Sequence, residues 1–419
     1  MHVFEIIGGK PLRGEISVFG SKNAATPILA ATLLTAETSV IHNVPRIEDV
    51  FRMLEILESM GVEVTWQNDH SVQITPGKYD VTKLDQSLVK QLRSSILLLG
   101  ALSAKHNHFI LSQPGGCVIG ARPVDTHMDA LQKLGVTVSK TKNGYEIDAT
   151  HRQATKVVLR ESSVTATENV LMLASILPGV TTLKLAACEP HVVDLCQFLV
   201  NLGVEIEGIG TTTLVITGKE SLQGTEHTLI PDANEAATLL ILGAATKSTL
   251  TVVNAREEHL DAVIEKLREF GVEVTVEVNQ ITVNPGKLEA VTKVDTRVYP
   301  GVPTDVQAPF GILATQANGE TLIHDPLFEG RFNYVQELEK MGGRAKVLNP
   351  HQVVVTGPTT LRGTRIKSYD LRAGAALIIA ALCAEGTTII EEIYQVDRGY
   401  ERIEERLAAI GANIKRLEV

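Results

Sequence analysis

The chain has 419 residues, more than one compact core ordinarily holds, so two domains are expected. Its 44% hydrophobic and 21% charged residues read as a soluble globular protein, and 4% aromatics leave little to stack on nucleic-acid bases. A net charge of −10 excludes a general nucleic-acid or anionic-membrane surface, so an anionic ligand would need locally concentrated cations.

The N-terminus, MHVFEIIGGK, lacks a charged n-region and a long apolar run, so no signal peptide is expected. The most apolar windows, such as Ala373 to Cys383, are too short to span a membrane and read as buried helices. The four cysteines, Cys117, Cys188, Cys196 and Cys383, form no CxxC and no zinc spacing. Free thiols in a reducing cytoplasm are expected.

Along the chain one unit recurs six times. A helix ends in an apolar residue and glycine, then a β-rich run follows: LESMGVEV, LQKLGVTV, LVNLGVEI, LREFGVEV, LEKMGGRA and LAAIGANI. The glycines are Gly61, Gly135, Gly203, Gly271, Gly342 and Gly411, and each suits the left-handed residue after a helix. Half a unit away lie six segments apolar almost all round, among them TPILAATLL, NEAATLLILGAA and AGAALIIAALCA, predicted as interior helices. The last unit ends early, at IKRLEV, and lacks the closing segment seen at Val353 to Ser368. Phe4 to Val18 matches that segment, so the two chain ends are predicted to complete the sixth unit together. The fold class is thus α/β, with six units divided three and three. One domain is expected over residues 22–230 and the other over 1–21 plus 231–419, with a ligand site in the cleft between them.

Loops break the repeat and carry the candidate chemistry. In GSKNAATP, Lys22 precedes a buried helix that Asn23 could cap, and a lysine there calls for an anion beside it. Arg93 precedes another buried helix. In PGGCVIGARPVDTHM, two glycines permit a loop that opens and closes. There Cys117 suits a nucleophile or a general acid, and Arg122 could lower its pKa or grip a phosphate or carboxylate. His127 begins the following helix. In PGVPTDVQAPF, prolines stiffen the approach to Asp305, a carboxylate suited to accept a hydroxyl proton. In YDLRAGAAL and VDRGYERIE, Arg372 and Arg398 follow Asp370 and Asp397, which are expected to orient the guanidinium groups. Several loop cations, one thiol, one carboxylate and no metal cluster suit displacement of a group from a small phosphorylated acid.

With SKNAATP, PGGCVIGARPVD, PTDVQA, DLRAGAAL and DRGYERIE in hand, the whole chain resembles the UDP-N-acetylglucosamine 1-carboxyvinyltransferases, a family of enolpyruvyl transferases. The resemblance implies a two-domain inverse α/β, barrel-like architecture of six repeated units. It also implies transfer of the enolpyruvyl group of phosphoenolpyruvate to the 3-hydroxyl of UDP-N-acetylglucosamine, with release of phosphate, the first committed step of peptidoglycan synthesis. It implies no metal or organic cofactor, and as partners the two substrates, with neither nucleic acid nor membrane. By motif, Cys117 looks like the acid that protonates the methylene carbon of phosphoenolpyruvate, and the site of fosfomycin attack. Lys22, Arg122 and Arg398 look like the grip on phosphoenolpyruvate, with Arg93 and Arg372 nearby, and Asp305 like the base near the sugar hydroxyl. Asn23 falls on the sugar side and Arg122, Pro123, Val124, Asp125 and Thr126 on the uridine side. Ser163, Val164 and Thr165, Leu327 and Arg331 fall at further nucleotide-sugar contacts.

The sequence departs from the family at several of these places. Thr165 stands for a glycine, where its side chain could crowd the nucleotide or distort a helix start. Glu161 stands where a lysine is common. Ala233 and Asn234, in PDANEAAT, replace a basic and an aliphatic residue, and Cys188 and His191 replace charged ones. Two other readings therefore stay open: a regulatory or nucleotide-sugar-binding paralogue, and a transferase with a different acceptor. The sibling 5-enolpyruvylshikimate-3-phosphate synthases lack the cysteine loop.

Overall fold

The computed structural model describes residues 2–115 and 124–419. The chain divides into two compact units, one comprising residues 20–115 and 124–230, the other residues 2–19 and 231–419. Each has its own aliphatic core.

The first unit holds three sheets. One runs Glu226–Thr228, Ser39–His42, Ser71–Thr75, Glu63–Asn68; a second, three-stranded, runs His108–Ser112, Gly144–Asp148, Thr137–Thr141. The third runs Glu205–Glu207, Thr213–Gly218, Gly179–Lys184, Lys156–Val158. The other unit repeats the plan in three four-stranded sheets, centred on the antiparallel pairs of Thr249–Val253 with Gln280–Asn284, Gly319–His324 with Gln352–Gly357, and His2–Ile7 with Thr387–Glu391. In the four-stranded sheets one edge strand is parallel and belongs to another repeat, as when Arg365–Lys367 pairs with Thr387–Glu391. The N-terminal segment behaves in the same way. His2–Ile7 lies between Thr387–Glu391 and Asn413–Glu418, antiparallel to both, while Arg13–Ser17 adds a parallel edge to Thr249–Val253.

Six inner helices fill the cores. They are Lys22–Ala31, Leu98–Lys105 and Val164–Ala174 in the first unit, and Ala233–Ala245, Gln307–Gln316 and Leu371–Cys383 in the other. Every residue from Glu235 to Ala245 and from Leu371 to Leu382 is buried, as their all-round apolar sequences require. Each buried Leu or Ile contributes on the order of 2 kcal/mol through surface removed from water. The outer helices are amphipathic; Glu48–Ser59 buries Val50, Met53, Leu54, Ile56 and Leu57. All six repeat glycines adopt left-handed backbone, with φ between 81° and 106°, which ends the outer helix and turns the chain into its strand.

The inner helix Val164–Ala174 buries a carboxyl group. Glu168, 2% exposed in Val164–Ala174, has an Oε1 with no hydrogen-bond partner among the described residues. Burial, then the charge of Glu189, raises its pKa well above the carboxylate range. The folded state therefore keeps a proton that the unfolded chain releases, so stability falls as pH rises beyond the ordinary glutamate value. Thermal unfolding followed from about pH 5 to about pH 8 should show this decline, and Glu168→Gln should flatten it and raise the midpoint at neutral pH.

Candidate active site

Several candidate residues, Lys22, Asp305 and Arg372 among them, stand at or just before the N-terminal ends of inner helices. In the unit of residues 2–19 and 231–419, three such ends are tied together by side chains. Asp305 lies in the helical turn Thr304–Val306 just before Gln307–Gln316. Its Oδ1 accepts from Arg331 Nη1 at 2.8 Å and its Oδ2 from Arg372 Nε at 3.0 Å, with Arg372 Nη2 in ion-pair contact at 2.9 Å. Arg372 stands in the first turn of Leu371–Cys383, and its Nη1 donates to the buried Tyr400 hydroxyl at 3.1 Å. That hydroxyl also meets Thr238 Oγ1 of Ala233–Ala245 at 3.0 Å. Burial alone would lower the pKa of Arg372, but Asp305 and then Tyr400 outweigh it and hold the guanidinium firmly protonated. The Arg331 guanidinium also stacks over Phe328, 4.8 Å from the ring centre.

Asp370 and Asp397 do not orient Arg372 and Arg398. Asp370 caps its helix, accepting from the backbone N–H of Arg372 and of Ala373 at 2.9 Å each. Asp397 takes two bonds from Arg416, at 2.9 and 2.7 Å, while Arg398 Nη1 donates to Gln395 Oε1 at 3.2 Å. Adjacency in sequence misled here, because a carboxylate at a helix start turns to the nearest backbone donors and one inside a turn to whichever cation packs over it. Leu327 is exposed, and its N–H donates to the buried Asp325, which also accepts from Thr304 beside Asp305.

In the unit of residues 20–115 and 124–230, Lys22 opens the helix Lys22–Ala31. The cap is Ser21, which accepts from Ala24 N–H, and not Asn23, which lies within the helix. The anion that Lys22 calls for is within the protein: its Nζ lies 2.7 Å from Asp49 Oδ2, in the first turn of Glu48–Ser59. Nothing in the sequence pattern signalled Asp49. The turn Arg93–Leu97 packs against both Lys22–Ala31 and Val164–Ala174, and burial lowers the pKa of Arg93.

Ser163 caps Val164–Ala174 through Ala166 N–H, so Thr165 leaves the helix start regular. Thr165 Oγ1 instead meets His127 Nε2 at 2.7 Å, and Thr126 Oγ1 donates to Glu161 Oε1 at 3.1 Å. Val124 is the buried N-cap residue of Asp125–Lys133, which Asp125 begins. Cys117, Arg122 and Pro123 lie outside the described residues. Burial pushes the Cys196 thiol up to about 12 and also raises Cys188, so both stay protonated at neutral pH. Among the described residues no group of three or more His, Cys, Asp or Glu could hold a metal ion, and no helix is long and apolar enough to cross a membrane.

The family model of EPSP synthase (3-phosphoshikimate 1-carboxyvinyltransferase) matches residues 6–407. Curated relatives named UDP-N-acetylglucosamine 1-carboxyvinyltransferase match end to end. The one from Helicobacter pylori (strain HPAG1) is 41% identical over all of both chains. That from Koribacter versatilis (strain Ellin345) is 41% identical over all of this chain and 97% of its own. Among solved structures, the enolpyruvyl transferase NikO from Streptomyces tendae superposes with a TM-score of 0.90 at 28% identity, covering 100% of this chain and 99% of that one. The EPSP synthase from Acinetobacter baumannii shares the fold, with a TM-score of 0.75 at 18% identity over both full lengths. The chain belongs to the enolpyruvyl (1-carboxyvinyl) transferase family and is an enzyme of that α/β fold.

Tyr400 links two of the inner helices through its hydroxyl. Tyr400→Phe should cost about 1–2 kcal/mol, read as a lower denaturant midpoint with an unchanged slope.

Proposed function

We propose that the protein transfers the enolpyruvyl group of phosphoenolpyruvate to the 3-hydroxyl of UDP-N-acetylglucosamine and releases phosphate, the entry step to peptidoglycan. The observation that carries this reading is the Asp305–Arg331–Arg372 cluster at the inner-helix ends, in a chain that matches enzymes of that name at 41% identity along its whole length. Asp305 takes the proton of the sugar hydroxyl as that oxygen bonds to C2 of phosphoenolpyruvate. The methylene carbon takes a proton from Cys117, and a tetrahedral phosphate-bearing adduct results. Loss of a proton from that same carbon then expels phosphate and restores the double bond.

Phosphoenolpyruvate brings a phosphate and a carboxylate. Lys22, Arg122 and Arg398 would hold them, with Arg93 and Arg372 close by, and helix N-termini add favourable potential for anions. The nucleotide side would fall to Asn23, to Pro123, Val124, Asp125 and Thr126, to Ser163, Val164 and Thr165, and to Leu327 and Arg331. Lys22 is held by Asp49 at 2.7 Å, so substrate would share or displace that carboxylate.

The test is phosphate release from phosphoenolpyruvate, with and without UDP-N-acetylglucosamine. Release is expected only with the sugar nucleotide, and Cys117→Ser and Asp305→Ala should each lower kcat by about 10²- to 10⁴-fold. No release with UDP-N-acetylglucosamine would sink this acceptor, and binding of the nucleotide without turnover would mark a binding paralogue.

A further inference from the structure

The helix Ala233–Ala245 sends one more side chain to Asp305. Asn234 Nδ2 lies 3.2 Å from Asp305 Oδ2, the oxygen that Arg372 already holds. A carbonyl oxygen facing a carboxylate would be repelled, so the amide must present its N–H there. Asn234 is itself firmly placed. Its backbone N–H donates to the cap carboxylate of Asp232 at 2.9 Å, and its carbonyl accepts from Thr238 Oγ1 at 2.8 Å. The helix behind it is buried from Glu235 onward, so only the two side-chain torsions of Asn234 remain to be fixed.

We propose that Asn234 is a positioning residue for Asp305, a role that rests on reading Asp305 as the base. Arg372 Nε and Asn234 Nδ2 each donate to Oδ2, so both of its lone pairs are engaged. A proton arriving at Oδ2 would have to displace one of these donors. Among the described residues, Arg331 and Arg372 are charged groups that face this carboxylate, with Tyr400 and Asp232 acting on Arg372 from behind. A third cation in place of Asn234 would weaken the base further; a neutral amide fixes its orientation without that penalty.

The experiment is steady-state kinetics of the full chain with phosphoenolpyruvate and UDP-N-acetylglucosamine. Asn234→Ala should lower kcat by about ten- to a hundred-fold, as for a lost hydrogen bond to a charged group, with both KM values within about two-fold and the melting midpoint nearly unchanged. In an Asp305→Glu background, where the carboxylate is displaced from the amide, the same substitution should cost less than about two-fold more. A single-variant kcat within about two-fold of wild type, or a loss confined to KM, overturns the proposal, as does a loss that multiplies in the double variant. The two readings fail differently. Full kcat in Asp305→Ala removes Asp305 as the base and this inference with it, whereas an inactive Asp305→Ala beside a wild-type-like Asn234→Ala removes Asn234 alone.

Discussion

A helix buried on every side can show the outside only its ends, and this constraint organises the whole molecule. Ala233–Ala245, Gln307–Gln316 and Leu371–Cys383 carry little that is polar between their ends, so chemistry on them sits at their termini. The N-terminal end is the useful one for an anionic substrate, since its unpaired N–H groups and the helix dipole both favour negative charge. Lys22, Asn234 and Arg372 all stand in first turns, and Asp305 one turn earlier. The repeat thus builds many copies of one electrostatic setting, and the loops individualise them.

The Asp305 cluster illustrates how such a setting is kept ready. A carboxylate among helix ends would be comfortable alone, but here it is matched by two guanidinium groups, and Arg372 is in turn oriented by Tyr400 and Thr238. A guanidinium offers its donors in a fixed plane, so a bond to the carboxylate through Nε and another to a phenol through Nη1 leave it little freedom to turn. Lys22 and Asp49 form the counterpart in the other unit. In both pairs the charges are compensated within the protein, as buried charges must be.

Much of this was legible in the sequence where a period carried it. The glycines Gly61 to Gly411 announced themselves by spacing, and their left-handed backbone follows from the turn each must make after a helix. The all-round apolar runs were legible for the same reason, because composition alone fixes that they are buried. Pairings between distant residues were not. Nothing in RIEDVF says that Asp49 meets Lys22, and nothing local turns Asp397 to Arg416 and away from its neighbour Arg398. The same holds for the substitutions. Asn234 read as the loss of an aliphatic residue, and Thr165 as a possible distortion, until their partners, Asp305 and His127, came into view. Side-chain chemistry depends on what the fold brings near, which a one-dimensional pattern encodes only where it repeats.

The strand His2–Ile7 sits in the middle of its sheet, with Thr387–Glu391 on one side and Asn413–Glu418 on the other. A ribosome makes this strand long before its two neighbours. Until those neighbours emerge, a central strand with both edges unsatisfied must wait, while the sheets of residues 20–230 already have all their strands. This pairing is therefore a late, long-range event, of the kind that slows folding and leaves unpaired strand edges exposed during synthesis.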